Sequence, residues 1–365
     1  MARATVPCGP VTRVLAVCAV DRPGGAEVGL LRLLRRRPGW DVTLATPGDG
    51  PLRSVARAEG WATARLALGG LERGAGARAL ASWPRARRLA AAHDVVYLNG
   101  TAAARVLPAL GGARAVLHVH DMVERVPRFW RRAALVLADS RAVAARLHGL
   151  EAEVVGCPVE LDPPPAARPW GDGGPVVGFV GRLEPRKAPD VLVAAAPAIR
   201  AGAPGARVLL IGEDSYAVDP TYARAVAGAA AVEHVGWVDN APGLMRHLDV
   251  LVLPSRSEPF GTVLAEAMAV GTPVVATRVD GLAEVVEDGV TGALVAPDDP
   301  AALAEAVLRV LARRDELGAA AARAARRWEA GAYARRVGDL VEACAVPIDT
   351  DRRRSDGRTA TGPCA

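Results

Sequence analysis

Short apolar runs alternate with longer stretches of helical pattern along most of the 365-residue chain. Apolar runs bounded by Gly, Pro, Asp or Asn are typical of strands that are buried on both faces of a parallel sheet. Regular alternation of such strands with helices predicts an α/β fold with helix-covered parallel sheets. In the first half the pattern predicts strands at about 12–20, 41–46, 64–68, 94–98, 114–119, 134–138 and 152–155.

A segment rich in proline and glycine interrupts this alternation near the middle of the chain. Residues 162–175 contain five prolines and three glycines, a composition that is typical of a linker. We therefore assign residues 1–165 to a first domain, 166–175 to a linker and 176–327 to a second domain. In the second domain the pattern predicts strands at about 176–181, 206–211, 232–235, 249–253, 273–276 and 292–295, and then one long helix from about Pro300.

Beyond the second domain the chain continues with one helix and a polar tail. After a break near Arg327–Gly331, the pattern predicts a last helix at about 331–345. Residues 347–365 are polar and lack periodicity, so we predict that they are disordered. Two doubly wound units joined by a linker would face each other across a cleft in which domain closure could clamp a ligand.

The most informative segment lies between the strand at 249–253 and the next strand. Ser255–Gly261 forms a turn, and a short apolar helix runs from about Thr262 to Val270, so the segment lies at the carboxyl end of a parallel strand, where open α/β sheets bind ligands. The free N–H groups at the start of such a helix can bind a phosphate. Glu258 in the turn and Glu266 in the helix add two carboxylates that can accept hydroxyl hydrogen bonds. Phosphate and hydroxyl groups together suggest a sugar nucleotide as ligand.

Composition narrows the class of protein. Hydrophobic residues make up 51% of the chain, as in a folded globular protein. The five cysteines are scattered without a CxxC pair, which favours a reducing compartment and argues against a zinc site. No uncharged apolar run is long enough to cross a bilayer, and the apolar run Val14–Val20 fits a first strand better than a signal sequence. We therefore expect a cytoplasmic protein. The acidic pair Asp349 and Asp351 lies in the tail, far from the other motifs, and no metal site is expected.

Charge is distributed unevenly between the two halves. Residues 1–165 carry 23 Lys and Arg against 14 Asp and Glu, whereas residues 166–346 carry 18 against 23. A basic first half could attract anionic lipid headgroups or an acceptor that bears phosphate. The segment Arg125–Arg132 interleaves Phe129 and Trp130 with four arginines, so it could rest at a membrane interface and hold a lipid-linked acceptor. Alternatively, the two aromatic side chains pack inward beneath solvated arginines. No recognition motif supports nucleic-acid binding.

Several motifs of the second domain occur in the order seen in one enzyme family. They are Gly178-Phe-Val-Gly-Arg-Leu-Glu-Pro-Arg-Lys187, Leu209-Leu-Ile-Gly212, Val235-Gly-Trp-Val238, Leu253-Pro-Ser-Arg-Ser-Glu-Pro-Phe-Gly261 with Glu266-Ala-Met, Val279-Asp-Gly-Leu-Ala-Glu284 and Asp288-Gly-Val-Thr-Gly292. Over these residues the chain resembles the retaining glycosyltransferases of family 4. The resemblance implies the GT-B fold, in which two doubly wound Rossmann-like domains face each other across a cleft. It also implies that the second domain binds the donor and that the first binds mainly the acceptor.

The first half resembles the same family over fewer and shorter segments. The matching segments are Gly24-Gly25-Ala26-Glu27, Leu117-His-Val-His-Asp121, Val136-Leu-Ala-Asp-Ser140 and Arg327-Trp328-Glu329. The last of these resembles the point where the final helix of the family crosses back to complete the first domain. Two positions depart from the family pattern: Gly156-Cys157-Pro158-Val159 replaces a common Asn-Gly turn, and Ala188 replaces the usual Gly after the lysine.

The resemblance implies roles for the donor-site residues. Arg182 and Lys187 would stabilise the charge that grows on the departing diphosphate, the first through a fork of N–H groups and the second as a point charge. Glu266 would accept hydrogen bonds from the ribose hydroxyls, and Glu258 would lie close to the transferred sugar. Backbone N–H groups of Phe260, Gly261 and Thr262 would contact the distal phosphate, and Gly24 and Gly25 would lie near the phosphates.

His120 is the candidate from the first domain. A histidine at a strand end that faces the cleft could contact the donor sugar or help to orient the acceptor hydroxyl. His118 lies two positions away and would project to the same side of the strand. Asp121 is an alternative candidate for the acceptor base. His93, near a helix end, fits a structural role better.

These observations predict a retaining glycosyltransferase that moves a sugar from a nucleoside-diphosphate donor to a hydroxyl acceptor, which could be a glycan, a lipid-linked molecule or a small molecule. The donor is a substrate, and no cofactor and no metal are expected, because Arg, Lys and the helix dipole can neutralise the leaving group. The alternatives are a sugar phosphorylase or a sugar-nucleotide epimerase on the same scaffold, or a sugar-nucleotide-binding subunit without activity. Contact with the cytoplasmic face of a membrane is a further expectation.

Overall fold

The computed structural model describes residues 11–69, 76–214 and 218–345, and it contains two parallel sheets. The first sheet consists of β1 (Thr12–Cys18), β2 (Trp40–Thr46), β3 (Ala62–Arg65), β4 (Val95–Asn99), β5 (Ala115–Val119), β6 (Leu135–Ala138) and β7 (Glu153–Val154). The second consists of β8 (Val176–Val180), β9 (Arg207–Ile211), β10 (Glu233–Gly236), β11 (Val250–Leu253), β12 (Val274–Thr277) and β13 (Gly292–Val295). The predicted tail, with Asp349 and Asp351, lies outside the described residues.

Helices cover both faces of the two sheets. Those of the first half are α1 (Gly25–Arg35), α2 (Pro51–Ala58), α3 (Gly76–Leu80), α4 (Trp83–Ala91) and α5 (Arg141–Arg146). Those of the second half are α6 (Pro189–Gly202), α7 (Pro220–Ala227), α8 (Ala241–Met245), α9 (Thr262–Ala269), α10 (Leu282–Val285), α11 (Pro300–Leu311), α12 (Arg314–Ala325) and α13 (Ala330–Cys344). Short 3-10 helices lie at Ala103–Ala109, Arg128–Arg132 and Arg326–Trp328. The α/β class predicted from the pattern is therefore correct.

Each sheet is doubly wound about its first strand. The strand orders are β3-β2-β1-β4-β5-β6-β7 and β10-β9-β8-β11-β12-β13, so the chain changes direction beside β1 in one sheet and beside β8 in the other. Ligands bind in such folds at the carboxyl ends of the strands next to this reversal. In the first sheet these ends lead to the segments that hold Gly24 and His120, and in the second to those that hold Lys187 and Glu258.

Burial on both faces explains why the strands are so apolar. Alternate side chains of β1 enter different cores: Leu15 and Val17 pack in one cluster, whereas Val14, Ala16 and Cys18 pack in the other. These five side chains are all fully buried. Strands of this kind can be located by apolar runs alone, and their observed ends agree with the prediction to within two residues, apart from the third strand.

Two elements differ from the sequence-based expectation. The third strand spans residues 62–65 at the edge of its sheet, and Ala64 is its one buried residue, so it lacks the continuous apolar run of the central strands. The long helix expected from Pro300 is two helices, α11 and α12, because the chain breaks at Ala312–Arg313. Arg313 leaves the helical conformation and pairs with Glu316, although neither Gly nor Pro marks the break.

The last helix returns to the first domain. Tyr333, Ala334, Val337 and Val341 of α13 are buried in the same cluster as the α1 side of the first sheet. A bridge between Val159 and Glu329 brings the two segments that connect the domains side by side. Among the described helices, none is both long and apolar enough to cross a bilayer.

Candidate active site

The loop before α9 is held in shape by neighbours from the next strand. We call residues 254–261 the Glu258 loop. The Asp280 carboxylate accepts hydrogen bonds from Ser257 Oγ at 2.6 Å and from the Glu258 backbone N–H at 3.2 Å. Gly281 packs directly beneath the loop, since a Cβ there would lie 2.1 Å from the Pro259 carbonyl oxygen. Sequence reasoning missed Asp280 as a support for this loop, although it lies in one of the quoted motifs.

A buried ion pair joins Glu258 to Lys187. Lys187 Nζ lies 2.5 Å from Glu258 Oε2, and their side chains are 13% and 9% exposed. Burial alone would raise the pKa of Glu258, but Lys187, Arg186 and Arg182 bring that pKa below its ordinary value. Burial also lowers the pKa of Lys187, against the opposing effect of Glu258. Glu258 is therefore a carboxylate at neutral pH.

The cations around this pair form a cluster. Arg182 Nη1 lies 2.8 Å from Glu184 Oε2, and Arg186 Nη2 lies 2.9 Å from Glu184 Oε1. Arg186 also donates to the Ser257 carbonyl oxygen. The structure thus brings the predicted Arg182, Lys187 and Glu258 together and adds Arg186 and the buried Glu184, which sequence reasoning left without a role. We call these five charged residues the cation cluster.

Ala188, where the resemblance expects glycine, adopts a left-handed conformation. Its φ and ψ are 52° and 43°, and its side chain is fully buried at the start of α6. This region favours glycine, and a non-glycine residue there is strained by about 1 kcal/mol or more. The backbone geometry of the lysine turn is therefore kept although the glycine is not.

Phe260, Gly261 and Thr262 shape the start of α9. Gly261 caps the helix with φ 90°, and a Cβ there would lie 2.4 Å from Leu282 Cδ2. The next two N–H groups, of Thr262 and Val263, lie in the first turn, where no earlier helical carbonyl can accept from them, so they are available to an anion. Phe260 is buried and packs edge-on against Trp328, with ring centroids 5.5 Å apart.

Glu266 makes a contact that the sequence did not suggest. Its Oε1 accepts a hydrogen bond from Arg32 Nη2 of α1 at 2.7 Å, so it links the two domains. Arg32 also donates to the Pro158 carbonyl oxygen at 2.7 Å. Burial raises the pKa of Glu266, and Arg32 limits that rise.

Gly24 and Gly25 form the turn into α1. The Gly24 N–H donates to Glu27 Oε2 at 3.0 Å, so Glu27, which had no assigned role, caps the helix. No atom would lie within 4 Å of a Cβ added to Gly25. Glu27 is 8% exposed, and burial raises its pKa.

His120 lies in a polar network at the carboxyl ends of β4, β5 and β6. Its Nδ1 lies 2.9 Å from Asp139 Oδ2, and its Nε2 lies 3.0 Å from Asn99 Oδ1. His118 projects to the same side, as expected, with ring centroids 3.9 Å from His120. Asp121 is exposed and accepts from Thr101 Oγ1. Sequence reasoning missed Asp139 and Asn99, although both are polar residues at strand ends.

His93 has the contacts of a structural residue. Its ring nitrogens lie 2.7 Å from the Leu89 carbonyl oxygen and 2.9 Å from Thr43 Oγ1. The first contact lies at the end of α4 and the second joins this end to Thr43 of β2, as expected of a structural histidine.

Ligand atoms of His118, His120 and Asp139 all lie within 4.8 Å of one another, which is close enough for a metal ion. Asp139 also pairs with both imidazoles without a metal ion, since its oxygens lie 2.9 Å from His118 Nε2 and from His120 Nδ1, although only the contact with His120 has the direction of a hydrogen bond. The chemistry of the three side chains therefore fits an ionic hydrogen-bond network.

Contacts across the cleft connect the first domain to the Glu258 loop. Ser140 Oγ donates to the Pro259 carbonyl oxygen at 2.6 Å. The backbone N–H groups of Arg141 and Ala142 donate to the Glu284 carboxylate at 3.0 and 2.8 Å. The segment that follows Asp139 thus contacts the Glu258 loop and Glu284 of the second domain.

Comparison with known proteins finds similarity to glycosyltransferases. Residues 174–313 match the family model of glycosyl transferases group 1. A D-inositol 3-phosphate glycosyltransferase of Salinispora tropica is 38% identical over 196 residues, which are 50% of this chain and 40% of the relative. One of Catenulispora acidiphila is 45% identical over 148 residues, 37% of this chain and 35% of the relative. These matches span well under half of the length of the curated relatives.

Solved structures match nearly the whole chain. Anabaena Alr3699/HepE in complex with UDP-glucose superposes with a TM-score of 0.77 at 21% identity, over 91% of this chain and 100% of that chain. Sucrose-phosphate synthase from Thermosynechococcus elongatus gives 0.73 at 24% identity, over 91% and 98%. At this level of identity the likeness establishes the fold.

Proposed function

We propose that this protein is a retaining glycosyltransferase, because residues 174–313 match the family model of glycosyl transferases group 1 and the fold is GT-B. It moves a sugar from a nucleoside-diphosphate donor to a hydroxyl acceptor. The second domain binds the donor and the first binds the acceptor. The observation that carries the proposal is the cation cluster, which borders the Glu258 loop at the carboxyl end of the second sheet.

The cation cluster suits a diphosphate leaving group. Arg182, Arg186 and Lys187 are held close to one another by Glu184 and Glu258. Negative charge grows on the phosphate as the bond to the anomeric carbon breaks, and fixed cations stabilise that transition state more than the ground state. The N–H groups at the start of α9 add a partial positive charge. These groups can do what a divalent metal ion does in other transferases.

Glu258 acts on the sugar, as a carboxylate that orients its hydroxyls and stabilises positive character on the ring. In the same-face substitution that we propose, the bond between the anomeric carbon and the phosphate oxygen breaks while the acceptor oxygen bonds to that carbon on the same side. The acceptor proton passes to the departing phosphate oxygen, so no enzyme nucleophile is required. Glu266, beside Arg32, accepts hydrogen bonds from the ribose hydroxyls.

The first domain supplies His120 and a basic face. Gly24 and Gly25 lie near the donor phosphates in this proposal. Trp130 is only 3% exposed and packs into the core, which supports the inward reading of this segment for that residue. Several exposed arginines of the first half form no ion pair within the described ranges and are available to anionic lipid headgroups; among them are Arg85, Arg87, Arg88, Arg125, Arg128, Arg131 and Arg132.

Nucleotide release from a panel of UDP-, GDP-, ADP- and TDP-sugars tests the proposal, and UDP-glucose is the first donor to try. The panel needs hydroxyl acceptors, among them D-inositol 3-phosphate, and free phosphate. Lys187→Ala and Arg182→Ala should each lower kcat/KM by about a hundredfold. The control is Arg313→Ala, which removes an arginine whose ion pair with Glu316 is exposed and should leave turnover unchanged.

Three results would contradict the proposal. Preferred transfer to free phosphate would indicate a phosphorylase, and tight nucleotide binding without turnover would indicate a non-catalytic subunit. If the three single variants Arg182→Ala, Lys187→Ala and Glu266→Ala all turned over donor at the wild-type rate, the proposed site would not be the catalytic one.

A further inference from the structure

Asp139 is a buried carboxylate that lies between two histidines. It follows β6 directly, and its side chain is 6% exposed. His120 Nδ1 lies 3.0 and 2.9 Å from its two oxygens. His118 Nε2 lies 2.9 Å from Oδ1, although its direction departs from that of a hydrogen bond. Asp139 therefore makes its strongest contact with His120.

The second nitrogen of His120 also faces an acceptor. Its Nε2 lies 3.0 Å from Asn99 Oδ1, while Asn99 Nδ2 lies 3.4 Å from Glu27 Oε1. The opposite orientation of the Asn99 amide would point its carbonyl oxygen at the Glu27 carboxylate, which is unfavourable because both groups are acceptors. With acceptors at both nitrogens, only the doubly protonated ring can donate to each of them. The hydrogen-bond pattern thus describes an imidazolium.

The charges around His120 favour that form. The titratable groups that face it are Asp139 after β6, Glu27 of α1, Asp121 after β5 and His118 of β5. Burial alone would lower the pKa of His120, but the three carboxylates together raise it above its ordinary value.

His118 behaves in the opposite way. Burial and the neighbouring His120 charge lower its pKa to about 4, and its Nδ1 lies 2.6 Å from the Tyr97 hydroxyl. The pKa values of these two neighbouring histidines are therefore shifted in opposite directions, which favours different charges at neutral pH, and such a difference often separates chemical roles.

The same carboxylate lies beside the Glu258 loop. Ser140, the next residue, donates to the Pro259 carbonyl oxygen. The buried Cys157 thiol interacts with both Asp139 and Thr262 at the start of α9. His120, whose side chain is 11% exposed, is thus fixed on the rim that faces the proposed donor.

We propose that Asp139 is a positioning residue that holds His120 as a fixed imidazolium, so that His120 supplies charge and an N–H to the reacting groups and does not deprotonate the acceptor. This inference rests on the proposed glycosyl transfer for its consequence in catalysis. The protonation state of His120 can be measured without turnover. The two proposals can therefore fail separately.

The experiment is ¹⁵N NMR of the full chain labelled in its histidines, with the His120 signal assigned by its loss in His120→Gln. In the wild type we expect His120 to stay doubly protonated at pH 7.5 and His118 to be neutral. In Asp139→Asn the pKa of His120 should fall, because burial still lowers it while the carboxylate that raised it most is gone. The control is Asp94→Asn, since Asp94 is a similarly buried carboxylate, 10% exposed, that binds Arg13 before β4.

Kinetics with whichever donor is turned over provide the second measurement. The charged form of His120 is lost as pH rises, so Asp139→Asn should move the alkaline limb of kcat/KM to lower pH and reduce kcat/KM at pH 8 by about tenfold to a hundredfold. Asp94→Asn should keep the wild-type profile. A neutral wild-type His120 at pH 7.5 would overturn the inference even if Asp139→Asn did not fold, and an unshifted pH profile in a folded Asp139→Asn would overturn it too. An imidazolium without turnover of any donor would support the charge state and count against the proposed function.

Discussion

Replacing Arg32 with methionine should destabilise the protein strongly, because it leaves Glu266 buried without its partner. The Arg32 and Glu266 side chains are 9% and 13% exposed and lie 2.7 Å apart across the domain boundary. Arg32 also donates to the Pro158 carbonyl oxygen, so one substitution removes donors from two buried acceptors.

The expected magnitude follows from the geometry of the pair. Removing one partner of a buried ion pair costs about 3–5 kcal/mol, whereas replacing both partners with apolar side chains is close to neutral. We therefore expect Arg32→Met to lower the free energy of unfolding by about 3 kcal/mol. The double variant Arg32→Met with Glu266→Leu should recover about 2 kcal/mol of that loss.

Thermal unfolding at pH 7.5, without nucleotide, measures this coupling. The four proteins compared are the wild type, Arg32→Met, Glu266→Leu and the double variant. A loss of about 3 kcal/mol corresponds to a fall in Tm of roughly 5 °C or more. The matched control is Arg35→Met in the same helix, since Arg35 and Glu59 also lie 2.8 Å apart but are 44% and 33% exposed. That pair should contribute less than about 1 kcal/mol.

The pH dependence provides an independent check. The pKa of Glu266 is already raised by burial, and without Arg32 it should rise further. A raised pKa in the folded state makes folding less favourable as pH rises through that range. The deficit of Arg32→Met should therefore shrink as pH falls and Glu266 binds a proton. Additive effects of the two single changes, or a deficit that does not depend on pH, would refute the reasoning.

Substitutions at two positions, Gly261 and Ala188, test the backbone of the site. Gly261→Ala should lower the free energy of unfolding by about 2 kcal/mol or more and weaken UDP-glucose binding in calorimetry, because its Cβ would lie 2.4 Å from the fully buried Leu282 side chain at a φ of 90°. Gly39→Ala, where no atom lies within 4 Å of the new Cβ, is its control in thermal unfolding, and equal effects of the two changes would contradict the prediction. Ala188→Gly should change Tm little, since relief of left-handed strain is offset by loss of a buried methyl group. Ala188→Val should lower the free energy of unfolding by about 2 kcal/mol or more, because a β-branched residue fits this region poorly. An unchanged Tm in Ala188→Val would contradict the strained geometry.

Local pattern was sufficient to place the strands and the main donor-site segment. Apolar runs such as Val250–Leu253 mark central strands because a strand covered by helices on both faces of a parallel sheet is buried along its whole length. Thr262–Ala269 was predicted as a helix to within one residue, and α11 begins at Pro300 as predicted, where Asp299 caps it. These features depend on neighbours along the chain.

Contacts between distant residues could not be predicted in this way. Arg32 meets Glu266 across 234 positions, and Asp139 contacts His120 only because β5 and β6 are adjacent in the sheet. The break at Ala312–Arg313 also carried no local signal, since alanine and arginine both favour helices.

The sequence by itself determined the α/β class, the order of the strands along the chain and the residue types that a sugar nucleotide would require. The tertiary structure alone decided which of those residues meet, how deeply each is buried and therefore what charge it carries. The physical reason is that periodicity records burial within one element, whereas pairing, pKa and interdomain contact depend on the path of the chain through space.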